Sequence, residues 1–149
     1  MDQSQRNFIL KVIDNGKDLT LATIRPDAYP QATTVSYAND GLRIYVGIGA
    51  NSQKANNIRH CNKVSLTINT DYSDWNHIKG LSIGATAEIL SDLEEIKHAS
   101  ACMIKRFPQI AEWARSMQAA EVALVKITPQ IISVLDYEKG FGHTELVTV

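Results

Sequence analysis

The most informative stretch of this chain is residues 31–69, QATTVSYANDGLRIYVGIGANSQKANNIRHCNKVSLTIN. It predicts a strand, a turn, a second strand, a short helix and a third strand in immediate succession. Apolar residues alternate with polar or small ones from Leu42 to Gly49 and again from Lys63 to Asn69. Each of these two strands is therefore expected to bury one face. Asp40-Gly41, between the first two strands, is a strong hairpin signal.

The short helix follows a loop of small residues and contains the first candidate binding site. Asn51 or Ser52 is its natural N-cap, and Lys54 then lies in its first turn. A cation at this point opposes the helix macrodipole, which carries partial positive charge at the N-terminus. An anion held by the free N–H groups and Lys54 would remove the conflict, so we interpret the loop as a candidate phosphate site. A capped surface helix with a solvated lysine is the alternative.

Length and composition narrow the class of protein. The 149 residues include 44% hydrophobic residues and carry a formal net charge of −1, which predicts one domain, residues 1–149, with a sizeable core. This charge gives no field that would attract nucleic acid or an anionic membrane, so we expect neither partner. The two cysteines, Cys61 and Cys102, form no CxxC pair. They suit a reducing compartment and argue against a disulfide framework.

The rest of the chain predicts strands with few helices. The N-terminal residues have helical rather than signal-peptide spacing, and no run is long enough to span a bilayer, so we expect a soluble cytoplasmic protein. A first helix ends at Asn15-Gly16, and two more begin at the capping box of Ser91 and at Pro108, with Trp113 and Met117 in the core. The further predicted strands are 19–24, 31–37, 78–91 with bends or bulges at Gly80 and Gly84, and 122–127 and 131–135 on either side of Pro129.

Some six strands with brief helical insertions predict an antiparallel barrel rather than alternating βαβ units. Residues 140–145 are expected to form a flexible loop before a short apolar end. We find no Rossmann glycine fingerprint, no P-loop and no internal repeat in the sequence.

Several motifs occur in a recognisable order: Pro30 to Tyr37, Asn39-Asp40-Gly41, a strand ending in glycines, Ser52-Gln53-Lys54-Ala55-Asn56-Asn57-Ile58, and Asn62 to Leu66. This order resembles the pyridoxamine 5'-phosphate oxidase-like, FMN-binding split-barrel superfamily. The resemblance implies a mainly β fold, a six-stranded antiparallel Greek-key split barrel with peripheral helices. It also implies a homodimer with two FMN sites at the subunit interface and a small-molecule substrate.

The resemblance further implies which residues contact the cofactor. Ser52 and Lys54 match the family's Ser-x-Lys phosphate clamp, with Gln53 between them. The strand that lines the flavin ring or ribityl chain corresponds to Thr33, Thr34, Val35 and Ser36, and the strand end and loop over the phosphate correspond to Gly47, Ile48, Gly49 and Asn51. Trp75 and Lys79 lie in the region that in relatives reaches the partner's cofactor.

The departures from the family pattern concern the substrate. The vitamin-forming oxidase begins its flavin strand with an arginine and has an Arg-x-His pair near its C-terminus, whereas this chain has Gln31 and Gly140-Phe141-Gly142-His143. We therefore expect a relative that oxidises or reduces another small molecule, with no catalytic residue assigned. His98 and Cys102 are four residues apart, but no third metal ligand follows at a recognisable spacing, so no metal site is predicted.

Two classes of function stay open at this point. The first is a flavin-dependent oxidoreductase, in which the flavin performs the transfer and the protein binds and orients it. The second is a non-catalytic protein on the same scaffold that binds flavin, the related deazaflavin coenzyme or haem. Haem would require an axial ligand, for which His143, directly after Gly142, or another histidine is the candidate. An exposed tail histidine is the simpler interpretation of His143.

Overall fold

The computed structural model describes residues 1–116 and 121–149. In these ranges the chain forms one antiparallel sheet and four α-helices. The strands are β1 Asp18–Ile24, β2 Pro30–Ser36, β3 Ala38–Asp40, β4 Arg43–Gly49, β5 Lys63–Asn69, β6 Lys79–Ile89, β7 Val122–Asp136 and β8 Thr144–Thr148. The helices are α1 Gln3–Asn15, α2 Gln53–His60, α3 Leu93–Arg106 and α4 Ile110–Ser116.

The strands form where the sequence alternates, because one face of the sheet is buried. In β5, Val64, Leu66 and Ile68 point into the core while the residues between them face outward. The same core receives Ile9, Val12 and Ile13 of α1 and Ala55 and Ile58 of α2. These two helices therefore cover the inner side of the sheet.

The order of the strands requires the sheet to curl. Along the path β2-β1-β5-β6-β7-β4-β3, β2 and β3 stand at opposite ends, yet Tyr37 alone separates them in the chain. The two ends of the sheet must therefore lie side by side. The mainly β split-barrel prediction is confirmed, with eight strands in the described ranges instead of six.

Tyr37, the residue between β2 and β3, makes contacts that stabilise the closed sheet. Its side chain is fully buried, and its hydroxyl donates to the Ile13 carbonyl at 2.6 Å. The Arg106 guanidinium lies 5.0 Å from the centre of its ring. Burial raises the pKa of Tyr37 to about 12, although the nearby Arg106 charge acts in the opposite direction. One residue thus connects the barrel to α1 and α3.

The longest strand, β7, joins two parts of the barrel. Its first half pairs with β4 and its second half with β8, while β6 runs along the other edge of both halves. Gly84 pairs with Ile131 and Ala85 with Pro129, so Gln130 is an extra residue that forms the bulge. The bulge predicted at Gly84 is confirmed, and the segments predicted on either side of Pro129 are one strand.

Several predicted details are wrong. Asp92, not Ser91, caps α3 by accepting a hydrogen bond from the Glu95 N–H. The hairpin at Gly41, where φ is +58°, joins β4 to the short strand β3 rather than to β2. Gly80 lies in regular pairing with Asn69 without a register shift. Part of the expected C-terminal loop, from Thr144, pairs with β7 as strand β8.

The helical region after β6 packs differently from the prediction. Trp113 of α4 is 63% exposed in the chain and is not a core residue, because no described helix or strand covers that face of α4. Met117, predicted beside it, lies outside the described residues. By contrast α3 contacts the sheet directly, since Lys126 of β7 forms an ion pair with Glu95 of α3 at 2.6 Å, and it also pairs with Glu88 of β6 at 3.1 Å. None of the described helices is long and apolar enough to cross a membrane.

Candidate functional site

The start of α2 has the geometry expected of an N-capped helix. Ser52 Oγ accepts a hydrogen bond from the Ala55 N–H at 3.2 Å and donates to the Gly49 carbonyl at 2.7 Å, so the N-cap prediction is confirmed at Ser52. The Ser52 N–H also bonds to the Gly49 carbonyl at 3.0 Å. Ser52 thus fixes the loop after β4, and its hydroxyl has one remaining acceptor position for another donor.

Two backbone N–H groups next to this cap lack a backbone acceptor among the described residues. Within residues 1–116 and 121–149, the backbone N–H groups of Gln53 and Lys54 have no backbone acceptor. The Lys54 side chain is half-buried and makes no ion pair with those residues. An α-helix start with free N–H groups and an unpaired cation favours an anion.

The loop and strand end before α2 leave room above the backbone. Gly47 and Gly49 are exposed on the outer face of β4, and a Cβ at Gly47 would come no closer than 3.7 Å to another side chain. The packing of the chain alone therefore does not require glycine at Gly47. Ile48 points into the core and is 5% exposed, so it could contact a ligand only through its backbone. Asn51 is exposed.

Strand β2 presents polar groups along one edge of the sheet. Its only neighbour among the described strands is β1, so half of its backbone N–H and C=O groups have no strand partner. Thr33 Oγ1 is buried and has no hydrogen-bonding partner in the described structure, which is uncommon and calls for a ligand or another explanation. Val35 packs against the core, and exposed Ser36 donates to Asp18 Oδ1 at 2.9 Å.

A buried polar cluster joins α2 to β1 and β2, and the sequence analysis did not identify it. Asn57 is fully buried and donates to Thr23 Oγ1 at 3.0 Å and to Gln31 Oε1 at 3.1 Å. It accepts from Gln53 Nε2 at 2.7 Å, so the Gln53 side chain is held by its own helix. The only sequence signal was a polar residue directly before the buried Ile58.

Trp75 and Lys79 lie at the other end of the barrel from α2. Lys79 opens β6, whose last residue, Ile89, pairs with β7 at Val125, close to the level of Gly49. Ten residue steps of strand correspond to about 33 Å. Within one chain, the structure therefore does not bring these two residues to Ser52 and Lys54.

The end of the barrel near Trp75 has exposed aromatic rings and paired charges. The Trp75 and Phe141 rings lie 6.1 Å apart, and Phe141 lies 5.4 Å from Tyr137. Trp75 is 67% exposed. Lys79 forms an ion pair with Glu138 at 2.9 Å, which holds the pKa of that carboxyl below its usual value.

His143 has a partner in the C-terminal segment. Its Nε2 lies 2.9 Å from Glu145 Oε1, the oxygen that Lys139 also contacts at 2.9 Å. These contacts, with His143 first, lower the pKa of Glu145 to about 2. The histidine is half-buried, so its interpretation as an exposed tail residue is only partly right.

His98 and Cys102 share a face of α3, as the spacing predicted. His98 Nε2 lies 3.0 Å from Asp40 Oδ2 and 3.8 Å from Cys102 Sγ. Burial, with a smaller effect of the Asp40 charge, raises the pKa of the Cys102 thiol. Among the described residues, no group of three such side chains is arranged to hold a metal ion.

Comparison with known proteins identifies the family. A sequence profile of the family described as pyridoxamine 5'-phosphate oxidase matches residues 9–136. The chain belongs to this family. The resemblance inferred from the motifs around Ser52 and Lys54 is thereby confirmed. No curated protein matches the chain in sequence.

Solved structures of the same fold include proteins with different descriptions. A haem-binding protein from Mycobacterium smegmatis superposes with a TM-score of 0.83 and 17% identity, over 99% of this chain and 59% of that one. This oxidase-family chain thus spans about three fifths of that protein. The conserved hypothetical protein Rv2991 from Mycobacterium tuberculosis gives a TM-score of 0.78 and 26% identity, over 97% and 91% of the two chains. HutZ, the haem storage protein from Vibrio cholerae, gives 0.70 and 21%, over 82% and 87%.

Proposed function

We propose that this chain binds FMN in a homodimer and is a flavin-dependent oxidoreductase acting on a small molecule. The observation that carries the proposal is the start of α2, where the N–H groups of Gln53 and Lys54 lack backbone acceptors among the described residues. Lys54 itself lies in the first turn of α2, and its side chain forms no ion pair in that part of the chain. Membership of the pyridoxamine 5'-phosphate oxidase family supports FMN as the ligand.

A phosphate suits this helix start for electrostatic reasons. The partial positive charge of the helix end and the Lys54 ammonium repel each other, and a phosphate dianion between them would interact favourably with both. Hydrogen bonds to charged groups contribute about 1.5–3 kcal/mol each. Ser52 would contribute by holding the loop at Gly49 in place, since its hydroxyl donates to the Gly49 carbonyl.

The flavin ring would lie along β2. The free backbone edge of this strand offers donors and acceptors to the ring edge, and Thr33 Oγ1 would gain the partner that it lacks. When bound, the flavin supplies hydride or electron transfer. The residues of this chain bind and orient it, and no acid–base pair is assigned among them.

The outer face of the sheet supports a homodimer. The register places Thr34, Thr20, Thr67, Ser82 and Ser133 in one row across five strands, and Leu146 of β8 continues the row. The row is uncharged, and α1 and α2 pack on the other side of the sheet. Leu146 is 69% exposed. A second copy of the chain would cover this surface and bring its own Trp75 and Lys79 toward the cofactor.

The substrate is proposed not to be the phosphorylated vitamin. Two lysines are already paired with carboxylates of the C-terminal segment, Lys79 with Glu138 and Lys139 with Glu145. Gln31, near the position of the family's arginine, accepts a hydrogen bond from Asn57. These groups do not provide a second phosphate-binding site, so we propose a substrate without a phosphate group.

The test is a comparison of FMN with riboflavin, which lacks the phosphate. We expect Lys54→Ala to weaken FMN binding about tenfold, equivalent to roughly 1.4 kcal/mol, and to leave riboflavin binding unchanged. Lys11→Ala, at an exposed lysine of α1, is the matched control. Equal FMN affinity of wild type and Lys54→Ala in a fluorescence titration would contradict the phosphate site.

Haem is the second candidate ligand, and His143 favours it. The imidazole is half-buried, follows two glycines at φ +135° and +81°, and lies on a fold shared with proteins described as haem-binding and haem storage proteins. Ligation of iron through Nε2 would require the imidazole to leave Glu145. A Soret band lost in His143→Ala and kept in His60→Ala would establish this alternative. A deazaflavin titration tests the remaining cofactor.

A further inference from the structure

Asn57 of α2 carries a fully buried side-chain amide. Both hydrogens of its Nδ2 group are used, one by Thr23 of β1 and one by Gln31 of β2. Its oxygen accepts from Gln53 Nε2. A buried amide that loses such partners is destabilising, because its polar atoms are then left without a hydrogen bond. The relative position of the three elements is therefore specified by this one side chain.

Apolar packing alone specifies the orientation of α2 poorly. The helix has eight residues, a length that is marginal without tertiary contacts. Its buried apolar side chains are Ala55 and Ile58. Non-directional contacts of this kind tolerate rotation and sliding, whereas the Asn57 hydrogen bonds do not.

The position of Asn57 connects the two halves of the proposed cofactor site. It lies three residues after Lys54, so the two side chains are neighbours on the helix surface. Gln31 lies two residues before Thr33 and on the same face of β2, as the burial pattern of the strand shows. The side chain therefore links the phosphate end at α2 to the strand proposed to line the ring.

We propose that Asn57 is a positioning residue, which holds the start of α2 at the correct distance from β2 for one FMN to reach both. This inference rests on the proposed function. Asn57 does not touch the ligand, because its side chain is fully enclosed by the protein. Asn57 instead affects the ratio of the riboflavin Kd to the FMN Kd, which measures how much the phosphate adds to binding.

The experiment measures this ratio by fluorescence titration of the full chain. In Asn57→Ala we expect the ratio to fall about fivefold or more, because misplacement by about 1 Å is sufficient for large losses at a positioned site. Riboflavin affinity should stay within about twofold, since it does not use the phosphate end. Asn56→Ala is the matched control, since Asn56 is exposed on the same helix and its side chain accepts a hydrogen bond from Arg59.

A second variant tests the proposal even if Asn57→Ala does not fold. Thr23→Val keeps the shape of a buried side chain and removes the hydroxyl that Asn57 contacts at 3.0 Å, so a smaller fall of the ratio, about twofold, is expected. Circular dichroism at the titration temperature shows whether each variant is folded, and where Asn57→Ala is not, Thr23→Val decides.

The outcomes separate the two proposals. A wild-type protein without preference for FMN over riboflavin overturns the proposed phosphate site and the role of Asn57 with it. A wild-type preference that Asn57→Ala and Thr23→Val keep overturns the positioning role alone. Loss of FMN and riboflavin affinity by the same factor also overturns it, because this indicates a general structural role. A fall of the ratio in the variants but not in Asn56→Ala supports it.

Discussion

Replacing Arg106 by alanine should lower the free energy of unfolding more than any other single change in the charged residues of α3, because Arg106 contacts the elements that close the barrel. The guanidinium donates to the Asp14 carbonyl at 3.0 Å and to Asn39 Oδ1 at 2.8 Å. It lies more loosely against the Gly16 and Tyr37 carbonyls, at 3.3 and 3.4 Å. It thereby joins the end of α1 to the strand link at Tyr37 and to β3.

The magnitude follows from these contacts. The two short hydrogen bonds to a charged donor contribute about 1.5 kcal/mol each, and the contact with the Tyr37 ring adds about 0.5–1 kcal/mol. Because Arg106 is half-buried, water replaces part of this interaction in the variant. We expect a loss of about 2–3 kcal/mol, which at a urea m-value of about 2 kcal/mol/M lowers the midpoint by about 1–1.5 M.

The assay is urea unfolding followed by circular dichroism at one fixed protein concentration, since dimerisation would make stability depend on concentration. Lys105→Ala is the matched control, because the neighbouring lysine is exposed and should change stability by less than about 0.5 kcal/mol. Arg106→Lys should recover little, as an ammonium cannot make the forked contacts. Equal midpoints for Arg106→Ala and Lys105→Ala would refute the role assigned to Arg106.

Three further outcomes are expected. The pKa of Tyr37 is raised to about 12 in the folded chain, compared with about 10 in the unfolded chain. The stability that the neutral hydroxyl contributes is therefore complete below pH 10 and is lost as pH rises toward 12. Tyr37→Phe should flatten this fall of the free energy of unfolding with pH, measured between pH 8 and 11.5. A Cβ on Gly16 would overlap the Tyr37 hydroxyl, so Gly16→Ala should cost about 1–3 kcal/mol in urea unfolding, whereas Gly47→Ala should cost little. Thr67→Arg places a charge at the centre of the uncharged row, so this variant should sediment as a monomer and lose FMN. Ser4→Arg, the control, should do neither. A monomer that keeps stoichiometric FMN would disprove a site shared between two copies.

The strands predicted best are those whose own residues show the strand pattern. In β4 and β5 every second residue is apolar because one face is buried, so alternation is visible without knowledge of the partner strand. Strand β3 was missed because it is three residues long and follows β2 after Tyr37 alone. Strand β8 was missed because the glycines before it indicated a loop, and its pairing with β7 is a tertiary contact.

Ser52 and Lys54 could be named as candidate phosphate-binding residues because a helix start is a local sequence motif. The structure confirms the N-cap at Ser52, and phosphate binding stays a prediction. Asn57 was not found because its partners Thr23 and Gln31 are 34 and 26 residues away in sequence. A buried asparagine has no periodic signature that separates it from a surface one, so only the folded structure reveals it.

The separation of the predicted site residues bears on the oligomeric proposal. Lys79 and the start of α2 stand at opposite ends of a sheet, with the length of β6 between them. No rotation of side chains spans about 30 Å, so a single copy of the chain cannot place Trp75 and Lys54 on the same FMN. If both residues contact the cofactor, two copies must be arranged with opposite ends of their barrels together. Under that condition a monomeric Thr67→Arg variant should lose FMN, whereas loss through Lys54→Ala depends only on the phosphate end.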